Sequence, residues 1–533
     1  MATSSTAYAR NSKPLTERKQ PKIVKNISKI EPKKLGLGLV AGCCLALLTY
    51  ISLAKLFSIY SPVFDVSRLS TSNLSPSISN SSSSPNFPQQ NAISNETVKL
   101  KETEEDPVLD IPELKETNKV QETAPEDENN GKEAPKGKTE SKIACDENGK
   151  DEGFPYARPI VCEMTGDLRI SPKEKSVFLV SSSQQSTVFD QNGEKKVRPY
   201  ARKDDFLLPS VVEVTVKSVK PESDVPKCTK KYNVPAVIFS VAGYTGNFFH
   251  DMSDVLIPLF LTTSHFKGEV QYFITNYKPW WVHRYQPLLS KLSNYDVINF
   301  DEDEEVHCFP HGFLGLIRDR DLIIYPNPTR NPRNYSMVNF TKFLRDSLSL
   351  KRDQPIILGE SPKKKPKMLI ISRSGTRKLL NQKEVVAMAE ELGFEVIIKE
   401  ASPDQLQSFA ESVNNCDVLL AVHGAGITNE IFLPTEAVMV QIVPWGKMDW
   451  MATNFYGQPA RDMKLRYVEY YIDKDESTLI EKYPSDHLVF TDPMAIHAQG
   501  WGQLADIIMK QDVKVNLTRF RPSLLQALDL LQE

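Results

Sequence analysis

The sequence lacks the patterns that assign a function most quickly. Its 533 residues carry 65 Lys and Arg against 68 Asp and Glu, and the net charge of -3 provides no basic field for a nucleic acid. No CxxC spacing indicates a metal site. No GxSxG nucleophile elbow and no GxGxxG dinucleotide motif accompanies the HGAG turn at 423–426. Function must therefore be inferred from local stretches of the chain.

The N-terminal region predicts a membrane anchor. Residues 1–34 form a tail rich in Lys and Arg, and residues 35–54 follow without a charge. About 20 apolar residues at a rise of 1.5 Å span a hydrocarbon core of roughly 30 Å. A cleaved signal peptide would have a shorter apolar region nearer the start, so we expect a retained signal anchor over residues 35–60. The positive-inside rule leaves the tail cytosolic and the rest lumenal, as in a type II membrane protein.

Residues 61–142 are predicted to form a disordered lumenal stem. Their first part is rich in Ser, Asn and Pro, and their second part is dense in Glu and Lys with almost no aromatic residues. Such compositions bury too little apolar surface to offset the entropy of ordering the chain. The stem would hold a folded domain away from the membrane.

The cysteines and the sequons fit a lumenal compartment. Of the 7 cysteines, Cys43 and Cys44 lie in the predicted anchor, and an odd number remains beyond it. An oxidising lumen permits disulfides, although the odd number leaves at least one of these cysteines without an internal partner. The disulfide candidates, with their pairing open, are Cys145, Cys162, Cys228 and Cys308. The N-glycosylation candidates are Asn80, Asn95, Asn334, Asn339 and Asn516.

From residue 143 onwards the chain predicts two α/β domains, 143–362 and 363–533. In the first, a buried-strand pattern at 235–243 is followed by a helical pattern at 247–266 that Pro258 should bend. In the second, strand patterns such as KMLIIS, FEVIIKE, DVLLAV and AVMVQIV alternate with helical ones. This alternation favours parallel sheets. A basic, Pro-containing linker between the domains suggests a cleft at their junction.

The HGAG turn is the first chemistry-bearing stretch. In an open α/β sheet, ligands bind at the carboxyl ends of the strands, where glycine lets the backbone approach them. The strand at 417–422 ends at His423, the glycines make the turn, and a helix is expected from about Ile427. Exposed N–H groups at a helix start attract phosphate. A turn of this composition is common, so the stretch alone is a weak signal.

Two further stretches suggest compensating charge and a base. Arg373, Arg377 and Asn381 follow a strand at spacings of four, which would place them on one helical face. Arginines there can pair with a diphosphate, although a solvated basic face is the simpler interpretation. His250 and Asp254 are also four apart, so that on a helix the carboxylate can orient the imidazole as a general base. A satisfied surface histidine is the alternative.

Asp301 and Asp303 form a DxD sequence of the kind that holds a divalent ion in other sugar transferases. Here the pair lies within a run of acidic residues after the DVINF strand. Such a run is more often a solvated loop, so we predict no metal site.

Taken together, these residues resemble glycosyltransferase family 61, particularly its plant xylan-modifying members. The similarity runs through CEMTGDLRI at 162–170, the spacing of Asn247, His250 and Asp254, and VHCFP at 306–310. It continues through the ISRxxxRxxxN pattern from 371, HGAGITN from 423 and VPWG at 443–446. The order and spacing of these motifs make the resemblance specific, and the stem lies outside it.

The resemblance implies a GT-B fold, in which two Rossmann-like domains face each other and the C-terminal one holds the nucleotide. It implies inverting transfer in the Golgi of a pentose, arabinofuranose or xylose, from a UDP-sugar to a xylan backbone, without a required metal or other cofactor. His250 would be the base, held by Asp254, and Asn247 would lie on the acceptor side. The implied donor-site residues are Arg373, Arg377, Asn381, His423, Gly424, Ala425, Gly426, Thr428, Asn429 and Trp445.

Two other interpretations stay open. The same family contains xylosyltransferases that act on N-glycans and enzymes that place GlcNAc on protein-linked acceptors. A non-catalytic lumenal binding partner with the same fold is the alternative from another class, although it would have no need of a base such as His250. Donor sugar, linkage position, oligomeric state and membership of a complex with other Golgi glycosyltransferases are not specified by the sequence.

Overall fold

The computed structural model describes residues 141–146, 159–182, 188–203, 206–328, 331–360, 363–402 and 405–532. The predicted cytosolic tail, the anchor, the stem up to residue 140 and the sequons at Asn80 and Asn95 lie outside these residues. Within the described ranges, no helix combines the length and the apolar character needed to cross a bilayer. The first strand of the described residues starts at Lys142, at the end of the predicted stem.

The first sheet is mixed rather than parallel throughout. Its strands run in the order β4-β5-β3-β2-β10-β7-β8-β9, with β1 beside β2 and β6 beside β10. They are β1 (Lys142–Asp146), β2 (Val161–Ser171), β3 (Ser176–Val180), β4 (Glu194–Val197), β5 (Val214–Val219), β6 (Lys230–Lys231), β7 (Ala236–Ser240), β8 (Gln271–Thr275), β9 (Ile298–Asn299) and β10 (His307–Leu314). The expected parallel pairing holds from β10 to β9, whereas β2 pairs antiparallel with both β3 and β10. The short connection between β2 and β3 leaves no room for the helix that a parallel crossover requires, whereas β2 and β10 pair over a long sequence separation.

The helical segment after β7 contains a wide turn where the sequence predicts a bend. It consists of α1 (Phe248–His250), a π-helical turn (Asp251–Leu256) and α2 (Ile257–Thr263). Pro258 lacks an N–H and would clash with the carbonyl four residues earlier in a regular helix, and the π-turn accommodates it. The remaining α-helices among the described residues of this half are α3 (Pro279–Leu292) and α4 (Met337–Ser347), and short 3-10 helices occur at Leu208–Ser210 and Ser264–Phe266.

The second sheet is parallel throughout, as expected. Its strands run β12-β11-β13-β14-β15, and each core strand is buried on both faces, which explains its continuous apolar sequence. They are β11 (Lys367–Ser372), β12 (Glu395–Glu400), β13 (Val418–Val422), β14 (Val438–Val443) and β15 (Arg466–Tyr471). From β11 the chain adds β12 on one side of the sheet and β13 on the other, so the strand order reverses between β11 and β13. Open α/β sheets bind ligands at such a switch point.

Helices cover both faces of the second sheet and continue beyond it. The α-helices are α5 (Gln382–Glu391), α6 (Leu406–Asn414), α7 (Asp449–Ala452), α8 (Gln458–Asp462), α9 (Leu479–Lys482), α10 (Leu488–Thr491), α11 (Pro493–His497), α12 (Trp501–Ile507) and α13 (Leu517–Leu530). A 3-10 helix (Ala425–Phe432) follows β13, and a π-turn (Thr453–Gly457) joins α7 to α8. The helix after HGAG therefore begins two residues earlier than expected and is a 3-10 helix.

A shared apolar core joins the two sheets. Phe248 packs against Phe432 with ring centroids 6.1 Å apart, and Phe249 packs against Phe455 at 5.7 Å. These aromatic contacts bring α1 of the first half onto the 3-10 helix and the π-turn of the second half. The predicted boundary near residue 362 stays a prediction, but α1 lies where the two sheets meet.

The structure pairs the cysteines and exposes three of the sequons. Cys145 is bonded to Cys162 across β1 and β2, Cys228 is bonded to Cys308 at β10, and Cys416 is a buried free thiol. Asn334, Asn339 and Asn516 are exposed, and their glycosylation stays a prediction.

Candidate active site

A cavity of about 250 Å³ lies at the carboxyl edge of the second sheet. Arg373 and Gly375 reach it from the end of β11, and Ser402 reaches it from the loop after β12. Gly426 from the start of the 3-10 helix and Phe248 from α1 also line it. The cavity therefore occupies the switch point of the sheet and is shared with the helical segment that carries His250.

The HGAG turn brings two arginines against its backbone. Gly424 has a φ of 142°, and a methyl carbon placed there would lie 3.0 Å from Arg373 Nη1 and 3.3 Å from Arg377 Cζ. Only glycine adopts this conformation easily and leaves room for both guanidinium groups. The turn is therefore a backbone surface with two cations beside it.

The two arginines carry charge that no carboxylate of the described residues compensates within 4.0 Å. Arg373 donates through Nε to the Thr376 carbonyl at 2.9 Å, and Arg377 donates to Met509 Sδ at 3.2 Å. The buried Nε of Arg377 has no partner among the described residues. Burial lowers the pKa of both side chains, that of Arg377 to about 10 with help from Arg373, so both stay protonated at neutral pH. Such a pair is suited to an anion.

The prediction that Arg373, Arg377 and Asn381 share one face of a helix is wrong. Arg377 has a φ of 60°, and α5 begins only at Gln382. Asn381 does not reach the cavity, because its amide donates to the Val515 carbonyl at 2.8 Å and its oxygen accepts from the Val515 N–H at 3.1 Å. Both polar ends of Asn381 therefore fix the segment before α13, and its role in donor binding stays a prediction.

Trp445 and Asn429 have different surroundings. The Trp445 indole N–H donates to the Val489 carbonyl at 2.8 Å, so this side chain fastens α10 and does not line the cavity. A donor-shaping role for Trp445 stays a prediction.

Asn429 lines the cavity and closes the turn by donating to the Gly426 carbonyl at 2.9 Å. Its neighbour Thr428 is fully buried beneath it.

His423 is a neutral, buried hydrogen-bond donor beside the turn. Its Nδ1 pairs with Gln441 Nε2 at 2.7 Å, and because an amide N–H donates, the ring proton lies on Nε2. Burial, reinforced by Arg377 and Arg373, lowers the pKa of His423 to about 3. The ring therefore adds an N–H rather than a third positive charge.

The predicted pair of His250 and Asp254 is formed as the spacing suggests. Asn247 accepts from the Phe249 N–H at 3.1 Å and so caps α1, and His250 Nδ1 lies 2.9 Å from Asp254 Oδ2. Because a carboxylate only accepts, Nδ1 donates, and the neutral ring keeps its lone pair on Nε2. Asn247 is exposed, and its place on the acceptor side stays a prediction.

Asp254 is held by residues that sequence patterns did not reveal. Tyr200 donates to it at 2.8 Å and Arg202 at 2.9 Å, while Arg318 lies 3.5 Å away. Burial would raise the pKa of Asp254, but Arg202, His250 and Arg318 hold it well below its ordinary range. Tyr200 and Arg202 are 54 and 52 residues distant in sequence, and no local motif marks them.

The base and the cavity lie side by side. Phe249 contacts both His250, with ring centroids 5.2 Å apart, and Tyr456 at 5.9 Å. Tyr456 in turn packs edge-on against His423 at 5.3 Å. A group bound at the glycine turn and a group bound at His250 would therefore be neighbours.

The acidic run after β9 has structural partners. Asp301 accepts from the Tyr277 N–H at 2.7 Å, and Asp303 pairs with His307 Nε2 at 2.9 Å. His311, four residues from His307 on β10, pairs instead with Glu163 at 2.9 Å. No cluster of three metal-ligating side chains occurs within the part of the chain that the structure describes.

Comparison with known proteins places this site in a family. The Glycosyltransferase 61 model matches residues 248–440, which include α1, β11 and the HGAG turn. The chain is 58% identical over 572 residues to the β-1,2-xylosyltransferase XAX1 of Oryza sativa subsp. japonica, covering 99% of this chain and 100% of that protein.

Two further relatives match most of the chain. It is 48% identical to the α-1,3-arabinosyltransferase XAT3 of Oryza sativa subsp. japonica, over 73% of this chain and 66% of that protein. It is 32% identical to the xylan glycosyltransferase MUCI21 of Arabidopsis thaliana, over 73% of this chain and 79% of that protein. The resemblance inferred from the motifs is confirmed, and the chain belongs to glycosyltransferase family 61.

Proposed function

We infer that the protein is an inverting glycosyltransferase of the GT-B type that moves a pentose from a UDP-sugar to a xylan backbone. The observation that carries this inference is that Arg373 and Arg377 lie against Gly424, with no carboxylate of the described residues within 4.0 Å, next to a histidine oriented by a buried carboxylate. An anion seat beside a base is the arrangement that transfer from a nucleotide sugar requires.

The glycine turn supports the donor diphosphate. The backbone N–H groups at the start of the 3-10 helix point toward negative charge, as helix starts do. Arg373 and Arg377 offset the charge that develops on UDP as it departs, and the Nε2 proton of His423 adds a neutral donor. These cations perform the task that a divalent ion performs elsewhere, so the reaction is proposed to need no metal or other cofactor.

His250 acts as the base. Its Nε2 lone pair takes the proton of the acceptor hydroxyl while the hydroxyl oxygen forms a bond to the anomeric carbon. The bond from that carbon to the diphosphate breaks, and its electron pair leaves with UDP, which inverts the configuration. Asp254 holds the ring through Nδ1 at 2.9 Å and stabilises the imidazolium that forms.

The sugar and the acceptor are proposed from the relatives. XAX1 is named a β-1,2-xylosyltransferase and matches over its full length, which favours xylose over arabinofuranose as the transferred pentose. MUCI21 is named a xylan glycosyltransferase, which favours xylan as the acceptor over a glycoprotein. Membership of a complex with other Golgi glycosyltransferases remains open.

The proposed location is the Golgi membrane, with the catalytic part in the lumen. It rests on the basic tail at 1–34 and the apolar residues 35–54, followed by a chain with sequons and disulfides. Protease protection of sealed Golgi vesicles tests the orientation. Digestion of the catalytic part in intact vesicles would contradict it.

The proposed activity is tested with the full-length enzyme purified in detergent. UDP release is measured with UDP-xylose, UDP-arabinofuranose and UDP-GlcNAc, each offered with xylohexaose or with a glycopeptide. We expect release with UDP-xylose and xylohexaose, unchanged when EDTA is added. Release only with a glycopeptide would favour the protein-directed members of the family, and UDP binding without release from any pair would identify a non-catalytic partner.

A further inference from the structure

Two exposed aromatic side chains flank the candidate base. Tyr244 is 37% exposed and stacks on His250, with ring centroids 4.5 Å apart and an interplanar angle of 29°. Trp280 is 43% exposed, and a methyl carbon placed at Gly246 would lie 3.4 Å from its ring. Both rings therefore lie against the loop that leads from β7 into α1.

The position of Trp280 relative to the base is fixed by a buried carboxylate. Asp251 accepts from the Gly246 N–H at 2.9 Å, from the Trp281 indole N–H at 3.0 Å and from the Tyr285 hydroxyl at 2.8 Å. These bonds tie the loop before α1 to helix α3. Trp281 is fully buried, whereas its neighbour Trp280 points outward because successive helical residues occupy different faces.

Cations hold the Trp280 indole in place. The Arg284 guanidinium lies 4.8 Å from the ring centroid and the Lys278 ammonium lies 5.7 Å from it. Lys278 also donates to Thr245 Oγ1 at 2.6 Å, which anchors it to the same loop. A single exposed aromatic residue needs no explanation, but two that are fixed beside a base form a ready binding surface.

A general base must lie within about 2.6–3.2 Å of the hydroxyl it deprotonates. The sugar that bears this hydroxyl must therefore rest on the groups next to His250. Tyr244 stacks directly on His250, and Trp280 lies against Gly246 of the same loop. A pyranose ring without an exocyclic CH2OH presents flat C–H faces that stack on such rings.

We propose that Tyr244 and Trp280 form the acceptor subsite, which holds β-1,4-linked xylopyranose units on either side of the reacting hydroxyl. This proposal rests on the proposed function and specifies how its acceptor is recognised. Stacking selects flat, unbranched stretches of the backbone, and His250 then reaches a hydroxyl at the edge of the stacked ring.

The test compares Trp280→Ala, Trp280→Phe and Tyr295→Ala in the full-length enzyme. Tyr295 is a matched control, because it is 37% exposed, close to the 43% of Trp280, but precedes β9, at the opposite edge of the parallel strands β7 to β9. Binding of xylohexaose is measured by calorimetry, and KM is measured separately for xylohexaose and for UDP-xylose. Thermal unfolding checks that each variant is folded.

We expect Trp280→Ala to raise the Kd and KM for xylohexaose about five- to tenfold, the loss of one stacking contact. The KM for UDP-xylose should stay unchanged, Trp280→Phe should keep most of the affinity, and Tyr295→Ala should match the wild type. An unchanged Kd for xylohexaose in folded Trp280→Ala overturns the subsite, as does a wild type that binds no xylohexaose. A wild type that binds xylohexaose through Trp280 but transfers no pentose overturns the proposed function and leaves the subsite standing.

Discussion

Replacing Asp254 with Asn tests whether one carboxylate both orients the base and neutralises the arginines around it. Asp254 is fully buried and accepts hydrogen bonds from Tyr200, Arg202 and His250 at 2.8, 2.9 and 2.9 Å. An amide of the same shape removes the charge and leaves Arg202 with Asp321 as its remaining carboxylate partner. Losing one member of a buried ion pair lowers the free energy of unfolding by about 3–5 kcal/mol.

The catalytic effect follows from the tautomer of His250. The new amide N–H donates to Nδ1, so the ring proton moves to Nε2, which then cannot take a proton from the acceptor. In hydrolases with the same Asp–His pairing, this substitution lowers kcat by about 10⁴-fold. We expect a fall in kcat of about 10³- to 10⁴-fold, with the Kd for UDP within about twofold of the wild type.

Asp321→Asn is the matched control for this variant. Asp321 pairs with the same two arginines, Arg202 and Arg318, but does not contact His250. It should lose stability and keep kcat within about tenfold of the wild type. Stopped assays of pentose transfer and urea unfolding separate the two effects. Equal losses of kcat in Asp254→Asn and Asp321→Asn would refute the orienting role.

The sign of the pH dependence provides a second check on Asp254. Its pKa is held below the ordinary range, so the folded state releases the proton more readily than the unfolded state. The stabilisation is present above the unfolded pKa of about 3.9 and is lost as the pH falls through the folded pKa. The stability gap between wild type and Asp254→Asn should therefore be larger at pH 7 than at pH 3.

Three further predictions concern the glycine turn, a buried carboxyl and a disulfide. Gly424→Ala should raise the Kd for UDP by about tenfold or more, because the methyl group displaces Arg373, whereas Gly500→Ala, with positive φ in open space, should leave it unchanged. Glu430→Gln should stabilise the protein at pH 8 and not at pH 4. Burial raises the pKa of Glu430 in the folded state, so the wild type loses stability as the pH rises above the pKa of this carboxyl in the unfolded chain. Removing the Cys228–Cys308 disulfide, which closes 80 residues, should cost about 4 kcal/mol.

Each of these predictions has a contradicting result. Equal UDP affinities for wild type and Gly424→Ala would show that the turn does not seat the diphosphate. A pH profile of unfolding that is the same for wild type and Glu430→Gln would show that burial does not raise the pKa of this carboxyl above its value in the unfolded chain. A loss of less than about 1 kcal/mol on urea unfolding of the double variant Cys228→Ser, Cys308→Ser would show that the long loop is constrained by other contacts.

Local patterns predicted the parts of the site that depend on local geometry. The spacing of four residues predicted the contact between His250 and Asp254 correctly, because both residues lie on one continuous helical segment that includes the π-turn. HGAG was identifiable because a buried strand, a histidine and glycines occur at the carboxyl end of β13. The second sheet was predictable for the same reason, since buried parallel strands have continuous apolar sequences.

The rest depends on contacts that no short pattern encodes. Arg373 and Arg377 both lie against Gly424, but they do so because Arg377 has a positive φ, not because they share a helical face. A non-glycine residue with positive φ is uncommon, so a spacing rule predicts a helix there instead. Tyr200 and Arg202 reach Asp254 only through the fold of the first sheet. The antiparallel pairing of β2 with β10 likewise depends on residues far apart in sequence.

The central claim is that the glycine turn holds the donor and His250 activates the acceptor. UDP binding and pentose transfer measured side by side for His250→Ala and Arg373→Ala test it most directly. His250→Ala should bind UDP like the wild type while kcat falls about 10²- to 10⁴-fold. Arg373→Ala should first raise the Kd for UDP about tenfold or more. Near-normal turnover by His250→Ala, or unchanged UDP affinity in Arg373→Ala, would contradict the assignment.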